Sequence, residues 1–428
     1  MTRLVAHITI EALTPLKVGS NASDFLQDSP VQKDWNNLPM ILGTSIAGVL
    51  RKEFRGDIKE VFGQESGSRV IFSNALLLDE KGRVTETLLL KKSDFLEHFD
   101  TLPIRDHTVL SEKGVSDNKF DEEIVYKGTR FKFSIEMIEE DKESFDEILK
   151  LLALSSFRLG GGSTKGFGKF KIEGIKTQKF NTASYEEYSS SLNYPLTDKK
   201  NIQEQDNSNY TKYLLKIEPE DFFIFGSGFG DKDADATPLY EQVIDYTAKK
   251  LTQKQILIPA SSIKGALAHR TAFYYNKAQE IYSENFKDKE RQKHLGENND
   301  AVNAIFGHKK ELAEDKKTEL GHKGKILICD CYKEDKNQTK TFDHVSIDRF
   351  TGGAIDGALF QEKTIAQKDM WEVEILLEKN IKGKELEAFE KALKDVTTGM
   401  LPLGGMTTKG HGVFVGEVFK EGKELEYD

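Results

Sequence analysis

The sequence predicts an α+β protein built from two tandem copies of one domain. The string at Leu159–Phe170 returns at Leu403–Phe414 with eight of twelve positions identical. Two further pairs follow the same order along the chain: Gly43–Leu50 with Ala260–Leu267, and Val61–Gly63 with Ile305–Gly307. Three matches in one order indicate a duplicated domain rather than a solenoid of short units. We call the two copies the first repeat and the second repeat.

Each repeat opens with a strand and continues into a helix. Alternating apolar residues predict the opening strands at Leu4–Ile10 and Tyr213–Ile217. A Gly- and Asp-rich loop follows each strand, and a helix start follows each loop. Hydroxyl side chains accept hydrogen bonds from free amides at helix starts, so we expect these residues to cap the helices: Thr44 or Ser45, and Ser261 or Ser262.

The later elements repeat in the same way. Alternating strands at Phe131–Met137 and Trp371–Leu377 each lead into an amphipathic helix. We expect the Gly-rich string to end that helix and a last strand to follow. Strand, helix, two strands, helix and strand is the βαββαβ order of a ferredoxin-like or RRM-like sheet. The predicted domains are residues 1–180 and 210–428, with a polar linker at 181–209.

Composition limits the class of protein. A net charge of -10 over 428 residues argues against a nonspecific nucleic-acid binder but leaves room for a local basic groove. No apolar run of about eighteen residues is present, and the first residues lack a secretory signal, so we expect a cytoplasmic protein and no membrane partner. Cys329 and Cys331 are predicted to be small core residues.

The Gly-rich string is not a phosphate-binding P-loop, because Gly-x-x-x-x-Gly-Lys-[Ser/Thr] does not fit Gly160–Phe170, and Val413 replaces the second lysine. Two interpretations remain. The glycines either cap the preceding helix and permit a tight turn, or let the backbone approach a phosphate chain, with Lys165 and Lys409 supplying charge.

These motifs together resemble the RAMP superfamily of CRISPR-associated proteins, and more narrowly the backbone subunits of type III effector complexes. The resemblance is carried by the Gly-rich string of each repeat, by Leu42–Leu50 and Ile258–Leu267, and by His344–Gly353 followed by Gly357–Phe360, which is similar to the family's hairpin region. It implies two RRM-like RAMP domains with insertions and thumb-like hairpins. The implied partners are guide (CRISPR) RNA, target RNA and other effector subunits.

The resemblance also implies a metal-assisted endoribonuclease. An acidic loop residue supports target cleavage in that family, and the matching positions are Asp28 in the first repeat and Asp235 in the second. In the second loop Asp231, Asp233 and Asp245 compete with Asp235. A carboxylate of ordinary pKa is a poor general base at neutral pH. It is better suited to placing Mg²⁺ or another divalent cation on a phosphate oxygen. The other interpretation is that these residues only form turns.

Guide-RNA contacts are expected at the helix starts and Gly-rich strings. Lys264 begins a helix, where free amides and a basic side chain suit a phosphate, whereas the first repeat has Ala47 there. The other interpretation is a solvated lysine. The expected RNA-binding residues are Ser45, Arg51, Gly161, Lys165, Ser262, Lys264, Arg270, Gly405 and Lys409.

The roles of two histidines and two phenylalanines have two interpretations each. His107 and His344 precede the hairpin regions and are either acids in RNA cleavage or structural residues. Phe120 and Phe350 either stack on bases or pack in the core. Two other functions therefore remain: a guide-RNA-binding scaffold without catalysis, and a metal-independent endonuclease that processes guide RNA through histidine chemistry.

Overall fold

The computed structural model describes residues 2–20, 29–64, 67–110, 116–138, 141–282, 284, 287, 291–312 and 319–426. Asp28 lies outside these residues.

The first repeat contains strands and helices in the following order: β1 Arg3–Ala12, β2 Met40–Ile41, α1 Gly43–Glu53, α2 Ile58–Phe62, β3 Val70–Phe72, β4 Ala75–Leu77, α3 Asp94–Glu97, β5 Ile104–Leu110, β6 Ser116–Glu123, β7 Arg130–Ile138, α4 Lys142–Leu151, β8 Phe170–Phe180 and β9 Asp198–Lys200.

The second repeat contains β10 Tyr210–Pro219, β11 Tyr240–Glu241, β12 Ile244–Asp245, β13 Lys250–Leu251, β14 Gln255–Ile258, α5 Ala260–Ala278, α6 Asp300–Phe306, β15 Gly307–Leu312, β16 Glu319–Lys323, β17 Ile326–Ile328, β18 Cys331–Glu334, β19 Thr339–Ile347, β20 Ala354–Ile365, β21 Trp371–Glu378, α7 Gly383–Thr397, β22 Phe414–Lys420 and β23 Lys423–Glu424.

The two main sheets have the same arrangement. In the first repeat β1 lies between β7 and β8, and β3 and β4 pair with the far edge of β7. In the second repeat β10 lies between β21 and β22, and β17 pairs with the far edge of β21. All of these pairs are antiparallel. The duplication seen in the sequence is therefore a duplication of sheet topology.

Each sheet buries one apolar face against its helices. Phe131, Phe133 and Ile135 of β7 share a core with Phe145 and Ile148 of α4. The second core repeats this contact with β21 and α7, through these buried residues: Trp371, Val373, Ile375, Phe389 and Leu393. The period-two strands and the amphipathic helices predicted from the sequence are confirmed, because burial of these alternating residues is what selects the elements.

A long hairpin projects from each repeat outside the main sheet. Strand β5 pairs with β6 in the first repeat, and β19 pairs with β20 in the second. The first hairpin lies against the second repeat, since Lys119 Nζ is 4.1 Å from the centre of the Phe229 ring. At the tip of the second hairpin Phe350 is 99% exposed.

The segment 181–209 packs on the first repeat. Strand β9 pairs with β8, and Leu192 is buried against Met40 and Leu76. Ile244, from the second repeat, is buried in the core of the first. The domain bounds drawn from the sequence stay a prediction, and contacts between the repeats are extensive.

Two local predictions are wrong. The helix starts are capped neither by Thr44 or Ser45 nor by Ser261 or Ser262, because α1 begins at Gly43 and α5 at Ala260. The Gly-rich strings also do not end the helices. Helix α4 ends at Leu151 and α7 at Thr397, and each string lies between the helix and the last strand. Cys329 and Cys331 are buried and free, as predicted.

Among the residues that the structure describes, no helix is both long enough and apolar enough to cross a bilayer.

Candidate functional site

The hairpins place the same three residue types at their bases. In register, His107 of β5 faces Phe120 of β6, and Glu122 follows two residues later. In the second hairpin His344 of β19 faces Phe360 of β20, and Glu362 follows two residues later. Phe360 therefore occupies the position equivalent to Phe120, and the exposed Phe350 does not.

In the first repeat this cluster is organised by a buried carboxylate. The Glu122 side chain is 5% exposed, contacts the Lys17 ammonium, and has Oε2 3.1 Å from His107 Nε2. The His107 ring stacks on Phe120, with ring centres 5.1 Å apart. Burial opposes ionisation of Glu122, but its close contacts with His107 and Lys17 outweigh this effect and lower the pKa to about 2. Glu122 is therefore charged at neutral pH.

The second repeat builds its cluster with an additional histidine. Glu362 is fully buried, and its Oε1 lies 2.8 Å from His411 Nε2 and 3.0 Å from His344 Nε2. Its Oε2 lies 3.3 Å from Lys409 Nζ. Burial again opposes ionisation, but contacts with the two histidines and the lysine lower the pKa of Glu362. His411 takes the place that Phe167 holds in the first repeat.

The lysines of the Gly-rich strings lie over the aromatic rings of the hairpin bases, and Glu362 also pairs with Lys409. Lys165 Nζ is 4.9 Å from the centre of the Phe120 ring, and Lys409 Nζ is 5.3 Å from that of Phe360. The sequence analysis missed both glutamates. The available signal was a Phe-x-Glu triplet at the end of each hairpin, Phe120–Glu122 and Phe360–Glu362, but three residues are too few to recognise without the pairing register.

A second group of cations lies where the repeats meet. Lys264 of α5 donates to Thr164 Oγ1 of the first Gly-rich string, at 3.2 Å. Burial is the main cause that lowers the pKa of Lys264 to about 8, and the positive charges of Lys165 and Lys323 contribute. We call Lys165, Lys264 and Lys323 the joint lysines. Burial also lowers the pKa of Lys323, with contributions from Lys52 and Arg158. Clustered cations that depress one another's pKa make a strong attraction for an anion.

The Gly-rich string reaches this position because its glycines pack against backbone. Gly160 has φ +82°, and a Cβ there would lie 2.3 Å from Lys17 O. Gly404 repeats this with φ +96° and 2.4 Å to Ile224 O. The neighbouring amides of Gly161 and Gly405 donate to the same two carbonyls, at 2.8 and 2.7 Å. The structure therefore supports the tight-turn interpretation at these glycines, and it leaves the lysines as the groups that can reach an anion.

The helix starts are capped from distant residues. Asn74 Oδ1 accepts from Gly43 N at 2.9 Å, and Asp330 Oδ1 accepts from Ala260 N at 2.8 Å. Ser45 is half-buried and Ser262 is exposed near these starts. Both serines remain accessible to a ligand, although neither caps its helix.

The two predicted arginines lie on the helices α1 and α5. Arg51 is exposed in the last turn of α1. Arg270 contacts the Asp395 carboxylate of α7 and lies over the Tyr274 ring, 5.5 Å from its centre. The Asp395 contact explains the position of Arg270 without RNA.

Asp235 lies at the base of the second hairpin. Its Oδ2 accepts from Gln361 N at 2.8 Å, and its own N–H donates to Gln361 O at 2.9 Å. The side chain is exposed. Of its competitors, Asp231 accepts from the amides of Asp233 and Ala234, and Asp245 from those of Thr247 and Ala248, so both stabilise turns.

The described part of the chain contains no group of three or more His, Cys, Asp or Glu residues that could hold a metal ion. A single exposed carboxylate still fits Mg²⁺, which commonly takes one or two protein carboxylates and completes its shell with phosphate oxygens and water. Asp235 is therefore compatible with a metal site that forms only with RNA present.

The duplicated sheets, hairpins and Gly-rich strings define a tandem protein of one domain family. The RAMP superfamily model matches residues 9–171 and 242–415, one match in each repeat. The chain belongs to the RAMP superfamily.

Among solved structures, the chain is similar to a chain of the type III-B Cmr-β complex bound to cognate target RNA, with 18% identity and a TM-score of 0.33. The match covers 42% of this chain and 61% of that one, so less than two thirds of that chain is spanned. No curated protein matches the chain.

Replacing the buried carboxylate by an amide tests the first cluster. The folded pKa of Glu122 lies below its ordinary value of 4.5, so its charge contributes stability above that pH, and the contribution is lost as the pH falls toward 2. We expect Glu122→Gln to destabilise the protein by about 1–3 kcal/mol at pH 7. The difference in the free energy of unfolding between the variant and wild type should shrink below pH 4.5. Urea unfolding at several pH values measures it.

Glu60→Gln is the matched control, because Glu60 pairs with Arg69 at the surface with its side chain 59% exposed. Glu60→Gln should change the free energy of unfolding by no more than about 0.5 kcal/mol at every pH. A Glu122→Gln effect equally small at pH 7 would contradict the assignment of Glu122 as the organising charge.

Proposed function

We propose that the chain is a two-domain backbone segment of a type III CRISPR ribonucleoprotein, which holds guide RNA and cuts complementary target RNA. The joint lysines carry this proposal, since they form a cation group in a protein of net charge -10. RAMP membership and the hairpins that resemble the family's thumbs support it. The sheet order with β1 and β10 in the centre supports a ferredoxin-like RAMP fold.

The lysines would bind the RNA backbone. Lys165 and Lys264 come from different repeats and lie close together, since Lys264 donates to Thr164 beside Lys165, so one phosphate group can contact both repeats. In the second repeat Lys409 would take the role of Lys165. Phosphate contacts of this kind give affinity and position without reading sequence, as a guide-RNA scaffold requires.

The hairpin bases would interrupt the RNA duplex. Cleavage by a neighbouring 2′-OH needs in-line geometry, which a regular A-form helix does not provide. Asp235 lies beside strand β20 at such a base, and its backbone contacts with Gln361 fix its position. Asp235, and Asp28 in the first repeat, would hold Mg²⁺ on a phosphate oxygen, where the metal supplies charge stabilisation.

Charge reversal of the lysines tests RNA binding. The triple variant Lys165→Glu, Lys264→Glu, Lys409→Glu should bind guide RNA more weakly and with a shallower salt dependence. Each lost contact should reduce the slope of log affinity against log salt by about 0.7. Filter binding or fluorescence anisotropy across a salt series measures both quantities.

Lys391→Glu is the control, because Lys391 is an exposed lysine on α7. It makes one charge reversal of the same kind on a surface outside the three positions of the triple variant. If the triple variant kept the affinity and salt slope of Lys391→Glu, the lysines would not be the RNA-binding groups.

Removing the aspartates tests cleavage in the assembled complex. Asp28→Ala should abolish one target cut and Asp235→Ala a different one, with guide and target binding preserved, because each carboxylate would place a metal and not hold the RNA. Cuts are resolved by gel electrophoresis of labelled target RNA with Mg²⁺.

Asp235→Asn separates charge from structure, since the amide oxygen can still accept from Gln361 N. It should lose the same cut as Asp235→Ala, whereas Asp233→Ala, an exposed neighbour, should keep it. If the variant carrying both Asp28→Ala and Asp235→Ala retained every cut, the chain would be a scaffold without catalysis. Cutting of guide-precursor RNA in EDTA would instead indicate the metal-independent processing enzyme.

A further inference from the structure

The contact between the two repeats is held by charged side chains on both sides. From the first repeat, Arg105 Nη1 donates to Asp330 Oδ2 at 2.6 Å, and Lys169 Nζ lies 2.6 Å from Glu374 Oε1. Arg158 Nη2 approaches Cys329 Sγ at 3.6 Å. The first repeat thus presents cations to the second, and the second presents acids to the first. We call this contact the joint.

The joint is formed by different surfaces of the two repeats. The first repeat uses the face that carries Arg105, Arg158 and Lys169. We call it the C-side face, because it contacts the repeat that follows in the chain, and we call the opposite face, toward the preceding repeat, the N-side face. The second uses its N-side face, defined by Cys329, Asp330 and Glu374. A contact between unlike surfaces of similar units does not close on itself, and the same geometry can in principle be repeated indefinitely. Each molecule therefore has an unused N-side face on its first repeat and an unused C-side face on its second.

The hydrogen bonds identify the equivalent residues on these outer faces. Asn74 caps α1 as Asp330 caps α5. Ser73 N donates to Ser134 O as Cys329 N donates to Glu374 O. The N-side face of the first repeat therefore carries Ser73, Asn74 and Ser134.

The C-side face of the second repeat is identified in the same way. Phe342 faces Glu362 across its hairpin as Arg105 faces Glu122. The matched Gly-rich strings place Pro402 where the first repeat has Arg158, and Val413 where it has Lys169. This face is therefore Phe342, Pro402 and Val413.

The five charged residues that define the two joint faces thus have no charged counterpart on the outer faces. On the C-side face, the second repeat has Phe342, Pro402 and Val413 at the positions equivalent to Arg105, Arg158 and Lys169. On the N-side face, the first repeat has Asn74 and Ser134 at the positions equivalent to Asp330 and Glu374. If two molecules met in the geometry of the joint, Phe342 would face Asn74 and Val413 would face Ser134. Phe342 would then cover the exposed Asn74 side chain without pairing it, which costs free energy, whereas Ser134 is already buried and offers no charge to a neighbour.

We propose that the joint charges act as a selection device that matches the two repeats of one chain to each other and prevents addition of a second copy of this chain. The C-side face of the second repeat instead fits a different RAMP-type subunit, one with uncharged side chains opposite Phe342 and Val413. This deepens the proposed function, since it names the neighbour that the ribonucleoprotein must supply. It depends on the duplicated surfaces and not on RNA binding.

Restoring the missing charges on separate molecules tests the proposal. One full-length protein carries Phe342→Arg on its C-side face, and another carries Asn74→Asp on its N-side face. Asp at position 74 can still accept from Gly43 N. Analytical ultracentrifugation in low salt and without RNA should show wild type and each variant alone as single chains. The mixture should form end-to-end pairs at least about tenfold more tightly than wild type, because close interfacial charge pairs couple by at least about 1.5 kcal/mol.

Two outcomes overturn the proposal: self-association of wild type as tight as that of the mixture, or a mixture no tighter than wild type. Phe342 packs against Phe222 with ring centres 5.0 Å apart, so circular dichroism first checks that the variant folds, and Phe342→Lys replaces it otherwise. Added salt should dissociate the mixture. Because RNA is absent, failure here leaves the lysine variants to decide the proposed function separately.

Discussion

The structure depends on one buried ion pair, between Arg105 of the first hairpin and Asp330 of the second repeat. Both side chains are almost fully buried. Asp330 uses its other oxygen to cap α5, and Arg105 also donates to Glu241 at 2.8 Å and lies over the Phe167 ring of the Gly-rich string. One contact thus fixes a hairpin, a loop and a helix start. Removing either partner would leave an uncompensated buried charge, which typically costs about 3–5 kcal/mol.

The arrangement of the cations follows from this contact. With the Gly-rich string held over the start of α5, Lys165 and Lys264 are brought together although 99 residues separate them in sequence. Buried glutamates at the hairpin bases neutralise some cations, such as Lys17. At the joint lysines, burial together with the charges of Lys165 and Lys323 lowers the pKa of Lys264. An acidic protein can therefore carry a local anion-binding surface, and the net charge says little about it.

Local patterns predicted the main elements of the fold. Alternation in β7 and β21 and the apolar faces of α4 and α7 reflect burial within each element, which a sequence shows directly. Helix capping was predicted wrongly because the acceptors, Asn74 and Asp330, lie between strands far along the chain, at the β3–β4 and β17–β18 connections. Strong local candidates such as Ser45 and Ser262 were present and are not used.

The candidate site was only partly predictable from the sequence, because several of its contacts join residues that are distant along the chain. Lys165, Lys264 and Lys409 stood out because they belong to matched motifs. Glu122 and Glu362 did not, since their role comes from hairpin register and from contacts with residues as distant as Lys17. The joint charges could not be recognised at all from one repeat alone. They become evident only when each residue is compared with its neutral counterpart, as Arg105 is with Phe342.

The central claim is that RNA lies on the joint lysines, and chemical protection tests it most directly. Amine modification followed by mass spectrometry, with and without bound guide RNA, reports the accessibility of each lysine. The account predicts that RNA protects Lys165, Lys264 and Lys323 while Lys391 is modified equally in both states. Equal modification of the joint lysines with RNA bound would contradict it.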